Sequence, residues 1–291
     1  SQTGEKLDDA DFNVAVGFDA LSTDTVGSHS IAIGASALLD QNHAGSAVDT
    51  HNIAIGSSAM QDLTTGVRNV SIGGFAGQQI STGSSNVFIG YLTAQASSGA
   101  RITGSSNTSV GDTSGFALSS GSNNLLLGHD AGRTGSPGGN ITSASNTIVL
   151  ADENIANAHI QVDWTVASDQ RDKTDFTDLD AGLDFVNALK PVTYKWDKRS
   201  NYGDKTKDNY DLNAQTPDGT YKEDWLDIGF KAQEVEALEK TVGYNIADKT
   251  NLTTSLTEDG KKYGIQYTKF IPILVKAIQE LSAEVKMLKG E

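Results

Sequence analysis

The chain has 291 residues, of which 20% are charged, and its formal net charge is −15. A negative charge of this size repels the phosphates of nucleic acids and an anionic membrane surface, so neither is expected as a partner. The sequence contains no cysteine, which excludes disulfides and thiolate-bound metal. It also contains no run of 18 apolar residues, so insertion into a membrane is not expected.

Composition divides the chain into two parts. Residues 1–167 hold 22 of the 30 glycines but only four of the 22 lysines and arginines. Such a change predicts a domain boundary, since each domain buries its own core. We predict a linker at 1–11, a repeat domain at 12–155, a junction strand at 156–167 and a second domain at 168–291.

A short unit recurs along the first part. It reads NVAVG at 13–17, and the seven later copies end at Gly34, Gly56, Gly73, Gly90, Gly111, Gly128 and Leu150. Successive ends are 17, 22, 17, 17, 21, 17 and 22 residues apart. The eighth copy, NTIVL at 146–150, is read as a terminal copy that has lost its glycine. Repeats of this kind bury a core only by stacking on one another.

Each unit has the pattern of one short strand. Large residues such as Val14 and Val16 alternate with small ones, which predicts a strand whose large residues are buried and whose small residues allow a second layer to approach. The glycine is expected to turn the backbone with a positive φ, and the leading asparagine to bond nearby backbone groups. The repeat is too short for a propeller blade, which leaves a parallel β-roll or β-solenoid, or strands interleaved among several chains.

The units resemble the head repeats of trimeric autotransporter adhesins of the YadA type, and similar repeats precede processing domains in phage tail fibres. The resemblance covers residues 12–153. It implies a homotrimer in which each chain forms a left-handed β-roll about a shared axis. The longer repeats carry the loops 41–51, 94–106 and 132–145, which are the candidate receptor-binding loops because the compact repeats offer only short turns.

Four motifs follow in order in the second part. They are SDQRDK at 168–173, LKPVTYKW at 189–196, IGFKAQEV at 228–235 and IQEL at 278–281. Together they resemble the intramolecular chaperone domain of endosialidase-type tailspikes, the peptidase S74 family of self-cleaving domains. The resemblance implies a smaller α+β domain that helps three chains to trimerise and then cuts itself off once.

The same resemblance implies where the cut falls. The scissile bond joins Ala167 to Ser168, with Ser168 as nucleophile and Lys173 as general base, a pairing known from other Ser–Lys enzymes. Lysine in water, with a pKa of about 10.4, is protonated at neutral pH and is no base. Desolvation favours the neutral amine, so we expect cleavage to await assembly.

Two questions stay open at this point. The hexapeptide alone could be a charged turn capped by Asp169 or Ser168. A spacing of five residues also suits neither a regular strand nor a helix, so the segment must turn sharply or the pair must form between subunits.

The last segment has a heptad-like pattern. Apolar residues spaced 3, 4, 3, 4 and 3 apart predict a coiled-coil-like helix that supports a trimer: Ile271, Leu274, Ile278, Leu281, Val285 and Leu288. The alternative is an amphipathic helix that packs on its own domain.

The sequence therefore predicts a mainly β trimeric repeat domain followed by a smaller α+β chaperone domain. We expect a phage tail fibre or tailspike segment of the virion that binds a host cell-surface receptor, such as a glycan or an outer-membrane component. Its chaperone domain would be released in the cytoplasm of the infected host. The alternatives are a spacer fibre with a chaperone domain and a non-viral trimeric adhesin. We expect no cofactor, no metal site among the five histidines, and no glycosidase activity.

Overall fold

The computed structural model describes residues 3–43, 45, 47–96, 99–205, 207 and 209–290. Parts of the predicted loops, residues 44, 46, 97 and 98, lie outside this set. The chain forms two compact units, one of residues 1–155 with 198–217 and one of residues 156–197 with 218–291. Among the described residues, no helix is both long and apolar enough to cross a membrane.

The first unit is a β-solenoid built on one parallel sheet of eight strands, with one strand from each repeat copy. Neighbouring strands pair at equivalent positions, so Val70 lies beside Val87 and Ile72 beside Ile89. A separate pair of two-residue strands, β2 (Gly27–Ser28) and β4 (Val48–Asp49), joins the segments that lead into the second and third repeat copies. The strands are β1 (Val14–Val16), β2 (Gly27–Ser28), β3 (Ile31–Ile33), β4 (Val48–Asp49), β5 (Ile53–Ile55), β6 (Val70–Ile72), β7 (Val87–Ile89), β8 (Thr108–Val110), β9 (Leu125–Leu127) and β10 (Ile148–Leu150).

The last copy corrects the predicted alignment by one residue. Leu150 pairs with Leu127, so Ala151 takes the place of the strand-ending glycine, with a φ of 59°. Thr147 takes the place of the leading asparagine, and its N–H donates to the Asn124 side chain at 3.0 Å. The sequence pattern favours Asn146 because the other copies begin with asparagine. The register of the last strand is instead set by its backbone pairing with the preceding strand.

The buried face of the strands also differs from the prediction. The middle residues, such as Ala32, Ala54 and Ser71, are fully buried, while Ile55 and Ile72, each the last strand residue before a glycine, are about one-third exposed at 36% and 37%. Larger side chains from the turns after the glycines join the same core, so the middle residues of the first four sheet strands and of β8 are small, whereas Phe88, Leu126 and Val149 fill this position in the other three strands. In the single chain, the large Val and Ile residues therefore face outward.

The leading asparagines form a buried ladder along the solenoid. From Asn52 to Asn107, each side-chain oxygen accepts a hydrogen bond from the backbone N–H of the next asparagine, at 2.9 Å from Asn69 to Asn52 and at 3.0 Å from Asn86 to Asn69. Each side-chain nitrogen donates to a turn carbonyl, as Asn69 does to Gly83 at 2.9 Å. Asparagine suits this position because its side chain satisfies a donor and an acceptor in neighbouring turns, although Ser30 and Thr147 occupy it in the second and last copies.

The end of the first unit includes a segment from the second half of the sequence. Residues 198–217 cluster with the solenoid, and the Lys205 ammonium forms an ion pair with the almost fully buried Glu153 carboxylate. The backbone carbonyl of Lys205 also accepts a hydrogen bond from Arg133 at 3.5 Å.

The second unit is a small α+β domain. Phe185, Val235 and Ile273, one from each helix, lie at the centre of its core. Its regular elements are α1 (Leu183–Ala188), β11 (Val192–Tyr194), β12 (Asp227–Gly229), α2 (Ala232–Thr241), β13 (Thr254–Leu256), β14 (Tyr263–Ile265) and α3 (Phe270–Lys289). β11 pairs antiparallel with β12, and β13 with β14. The predicted order of a repeat domain, a smaller α+β domain and a terminal helix is confirmed.

The predicted junction strand does not form in the single chain. Residues 156–167 have no strand structure and are exposed throughout. The alternating apolar side chains Val162, Trp164 and Val166 are 72%, 75% and 78% exposed. The alternation typical of a strand is present, but none of the strands in the described part of the chain pairs with it.

One buried carboxylate organises the second unit. Glu239 in α2 is fully buried and accepts hydrogen bonds from the backbone N–H and hydroxyl groups of both Thr253 and Thr254, at 2.7–3.1 Å. Burial raises the pKa of Glu239, but these hydrogen bonds outweigh that effect and hold its pKa below the ordinary value. The ionised carboxylate therefore anchors the segment that enters β13.

We expect Glu239→Gln to lower the free energy of unfolding by about 2–4 kcal/mol, because the amide places donors against donors. Since the folded-state pKa is depressed, this stabilisation is present above the unfolded pKa and is lost as pH falls through the folded pKa. Thermal unfolding at pH 7 and at acid pH measures both effects. The exposed Glu234→Gln in the same helix, which loses only a surface ion pair with Lys231, is the control; equal shifts for both variants would contradict the assignment.

Candidate active site

A short 3-10 turn follows the predicted scissile bond. It spans Gln170–Asp172, and the Asp169 carboxylate caps it by accepting from the Arg171 N–H at 2.9 Å. At its other end the Lys173 N–H donates to the Gln170 carbonyl at 3.2 Å, and the backbone becomes extended. The capping role weighed for Asp169 is therefore real, and it coexists with the chemistry proposed for its neighbours.

This turn brings the two predicted catalytic side chains together. Lys173 Nζ lies 2.6 Å from Ser168 Oγ and 3.4 Å from the Ser168 carbonyl oxygen. Neither a helix nor a strand would join residues five apart in this way, but a single 3-10 turn does. The contact forms within one chain.

The neighbouring charges are paired with each other. Arg171 contacts Asp169 at 2.6 Å. This hydrogen bond lowers the pKa of Asp169 and raises that of Arg171. Asp169 is thus engaged with Arg171 while Lys173 contacts the serine, an arrangement that leaves the lysine amine beside the hydroxyl rather than beside a carboxylate.

The site is open to solvent in the single chain. Ser168 and Lys173 are both exposed, as are Trp164, Val166 and Phe176 on either side, at 75%, 78% and 65%. In the single chain, water therefore reaches both members of the predicted pair.

The predicted heptad row lies on α3, and it is exposed along its whole length. Ile278 is 66% and Leu281 48% exposed, and the other four members are between 39% and 88% exposed. The helix packs on its own domain through a different face, which carries Phe270, Ile273 and Ala277. The alternative of an amphipathic helix that packs on its own domain is therefore confirmed for this face, and the coiled-coil role of the exposed row stays a prediction.

The structure also brings together three polar side chains that the sequence did not connect. His29, Asp49 and His51 offer donor atoms that all lie within 4.8 Å of one another. The signal was present: each histidine immediately precedes the leading residue of its repeat copy, in adjacent copies. Spacing along the chain hides this relation, because 22 residues separate the two histidines.

Comparison with known protein families matches one part of the chain. Residues 168–244 match the family described as Peptidase_S74, chaperone of endosialidase, and the match begins at Ser168. That family implies a self-cleaving chaperone activity. No curated protein and no solved structure matches the chain.

Proposed function

We propose that the chain is a segment of a phage tail fibre that assembles as a homotrimer. Its C-terminal domain is an intramolecular chaperone that cuts once between Ala167 and Ser168. The observation that carries the proposal is the 2.6 Å contact between Lys173 Nζ and Ser168 Oγ, in a domain that matches the chaperone of endosialidase from Ser168 onward.

The reaction follows from the position of the nucleophile beside its own scissile bond. The neutral Lys173 amine takes the proton of Ser168 Oγ, which attacks the Ala167 carbonyl carbon through a five-membered ring. The C–N bond breaks, the Ser168 nitrogen takes the proton from Lys173, and Ala167 becomes an ester on Oγ. One water then hydrolyses the ester, giving a carboxylate at Ala167 and restoring the hydroxyl at Ser168.

Solvent exposure supplies a reason for cleavage to follow assembly. A lysine amine acts as a base only when it is neutral, and removal from water favours the neutral form. Covering the exposed apolar residues beside the site, such as Trp164 and Val166, would exclude water from it. Three chains together thus complete the active site, and cleavage occurs only after they have assembled.

Two apolar surfaces support the trimer. The first, the outer column of the solenoid, consists of the last residue of each sheet strand: Val16, Ile33, Ile55, Ile72, Ile89, Val110, Leu127 and Leu150. The second, the α3 row, consists of the six heptad residues. Aligned apolar surfaces of this extent are typical of interfaces, and a 3,4 spacing is the pattern of helices that wind around one another.

We expect the double variant Ile278→Asp/Leu281→Asp to sediment as a monomer, because it places carboxylates in the α3 row. Gln279→Asp, between them and also exposed, should stay trimeric. Analytical ultracentrifugation gives the mass of each. A double variant that remains trimeric would remove the α3 row from the interface.

The same proteins test the order of events. Refolding the wild-type chain over a range of concentrations should give cleavage that tracks the trimer fraction, and the double variant should stay uncut. Equal cleavage rates in dilute monomer and in trimer would contradict assembly gating while leaving the cleavage itself intact.

For the cleaved fibre we propose host attachment through the longer repeats, with the released chaperone left in the host cytoplasm. The candidate receptor is a glycan or an outer-membrane component. Its candidate binding regions are the loops in 132–145 and the described residues of 41–51 and 94–106, and the acidic charge of the chain is compatible with either receptor. A spacer fibre and a non-viral trimeric adhesin are the alternatives. Adsorption of the mature trimer to host cells, and its competition with virus, would separate attachment from a spacer.

A further inference from the structure

One column of side chains runs along the solenoid just before the strands. Its first members are Phe12, His29, His51 and Arg68, all with a left-handed φ between 49° and 64°. Parallel strands stack about 4.8 Å apart, so side chains in adjacent turns of this column face each other. The imidazole rings of His29 and His51 have centroids 5.0 Å apart, and Phe12 stacks on His29 at 5.0 Å.

An acidic residue from a neighbouring strand reaches the same place. Asp49 lies in β4, whose pairing with β2 sets it beside Ser28, and its Oδ1 is 3.1 Å from His29 Nδ1. The donor atoms of His29, Asp49 and His51 all lie within 4.8 Å of one another, and all three residues are exposed. Two imidazoles and a carboxylate thus converge on one open point of the surface.

The backbone beneath this cluster is held by hydrogen bonds. The His29 N–H donates to the Asp11 carbonyl at 3.0 Å, and the Thr50 N–H to the Ser28 carbonyl at 2.9 Å. Tetrahedral zinc with ligand bonds of about 2.0–2.1 Å needs donor atoms roughly 3.3 Å apart. The His29–Asp49 pair, at 3.1 Å, is already close to that separation, and the other donor atoms, all within 4.8 Å of one another, have to move closer for an ion to bind.

We propose that His29, Asp49 and His51 form a binding site for a divalent transition-metal ion, of which Zn²⁺ is the representative. Imidazole nitrogen selects zinc, nickel, cobalt or copper over magnesium and calcium. Three protein ligands leave a fourth position for water or for a group from another molecule. The bound ion joins two adjacent turns and fixes the register of β2 and β4.

The test is calorimetric titration of ZnCl₂ into the full, untagged chain at pH 7.5, where imidazole is mostly neutral. We expect one zinc per chain, an absorption spectrum of tetrahedral cobalt when Co²⁺ replaces it, and a higher melting temperature with saturating zinc. His51→Ala and the conservative Asp49→Asn should each weaken binding by about tenfold or more, with circular dichroism to verify that both fold.

Two histidine variants serve as matched controls. His159→Ala removes an exposed histidine outside the cluster. His129→Ala removes the histidine that lies 3.2 Å from Asp152 and 3.8 Å from Asp112, the rival arrangement on the same solenoid. Both should bind zinc as the wild type does. Absence of zinc binding, its persistence in folded His51→Ala, or its loss in His129→Ala would overturn the proposal and reduce the cluster to a His29–Asp49 ion pair.

Discussion

Replacing Lys173 by alanine is expected to slow cleavage of the folded trimer by about a hundredfold or more, because general-base catalysis contributes roughly 10²–10⁴. Ser168→Ala should abolish it, since no hydroxyl remains to attack the Ala167 carbonyl. Both residues are exposed, so neither change should unfold the domain. Denaturing electrophoresis of a refolding time course measures the uncut fraction.

The control for this pair lies in the same turn. Gln170 is exposed, and its backbone carbonyl, rather than its side chain, accepts from Lys173, so Gln170→Ala should cleave at close to the normal rate. A well-folded Lys173→Ala trimer that cuts normally would make the base assignment wrong.

Replacing Gly111 by alanine is expected to cost about 3–5 kcal/mol and to lower the melting temperature by roughly 10 °C or prevent folding altogether. Gly111 has a φ of 136°, and a Cβ there would lie 2.5 Å from the Gly128 carbonyl oxygen in the next turn. The positive φ strains an alanine at this position, and its Cβ also collides with the next turn. Neither effect can relax without separating strands of the sheet.

Gly99→Ala isolates the first of these two effects. Gly99 also has a positive φ, 79°, but no described atom lies within 4 Å of a Cβ at that position. This variant should lose only about 1–2 kcal/mol, the usual cost of a left-handed backbone. Thermal unfolding of both variants makes the comparison, and equal melting temperatures would mean that the turns are not stacked as described.

The repeat pattern predicts that the copies form strands that stack, and this is correct because each copy pairs with the next through the same hydrogen bonds and so has a similar sequence. It does not predict which face is buried. Alternation of Ile55 with Ala54 is the same pattern whichever face points inward, and the choice depends on side chains such as Leu38 and Met60 that fill the interior from the turns. The sequence pattern also does not predict which side chains must be small to make room for large ones in a neighbouring turn. For example, a Cβ at Gly77 would lie 2.7 Å from the Phe88 ring.

The candidate site shows the same limit. Motifs point to Ser168 and Lys173, but the 3-10 turn that joins them depends on the Asp169 cap and on backbone bonding that spacing alone does not reveal. The cluster of His29 and His51 could not be predicted for a related reason. Contacts between adjacent turns of the solenoid depend on how the strands pair, and the loop between these two histidines makes their separation in sequence differ from that of the compact repeats. The apolar surfaces that are exposed in the single chain, above all the α3 row, would be covered only by partner chains.

Intact-mass spectrometry of the purified wild-type protein after folding is the most direct test of whether this chain cuts itself before Ser168. We expect two fragments, one ending at Ala167 and one beginning at Ser168, and only full-length chain in the Ser168→Ala variant. Full-length wild-type chain alone, in a protein shown to be a folded trimer, would contradict it.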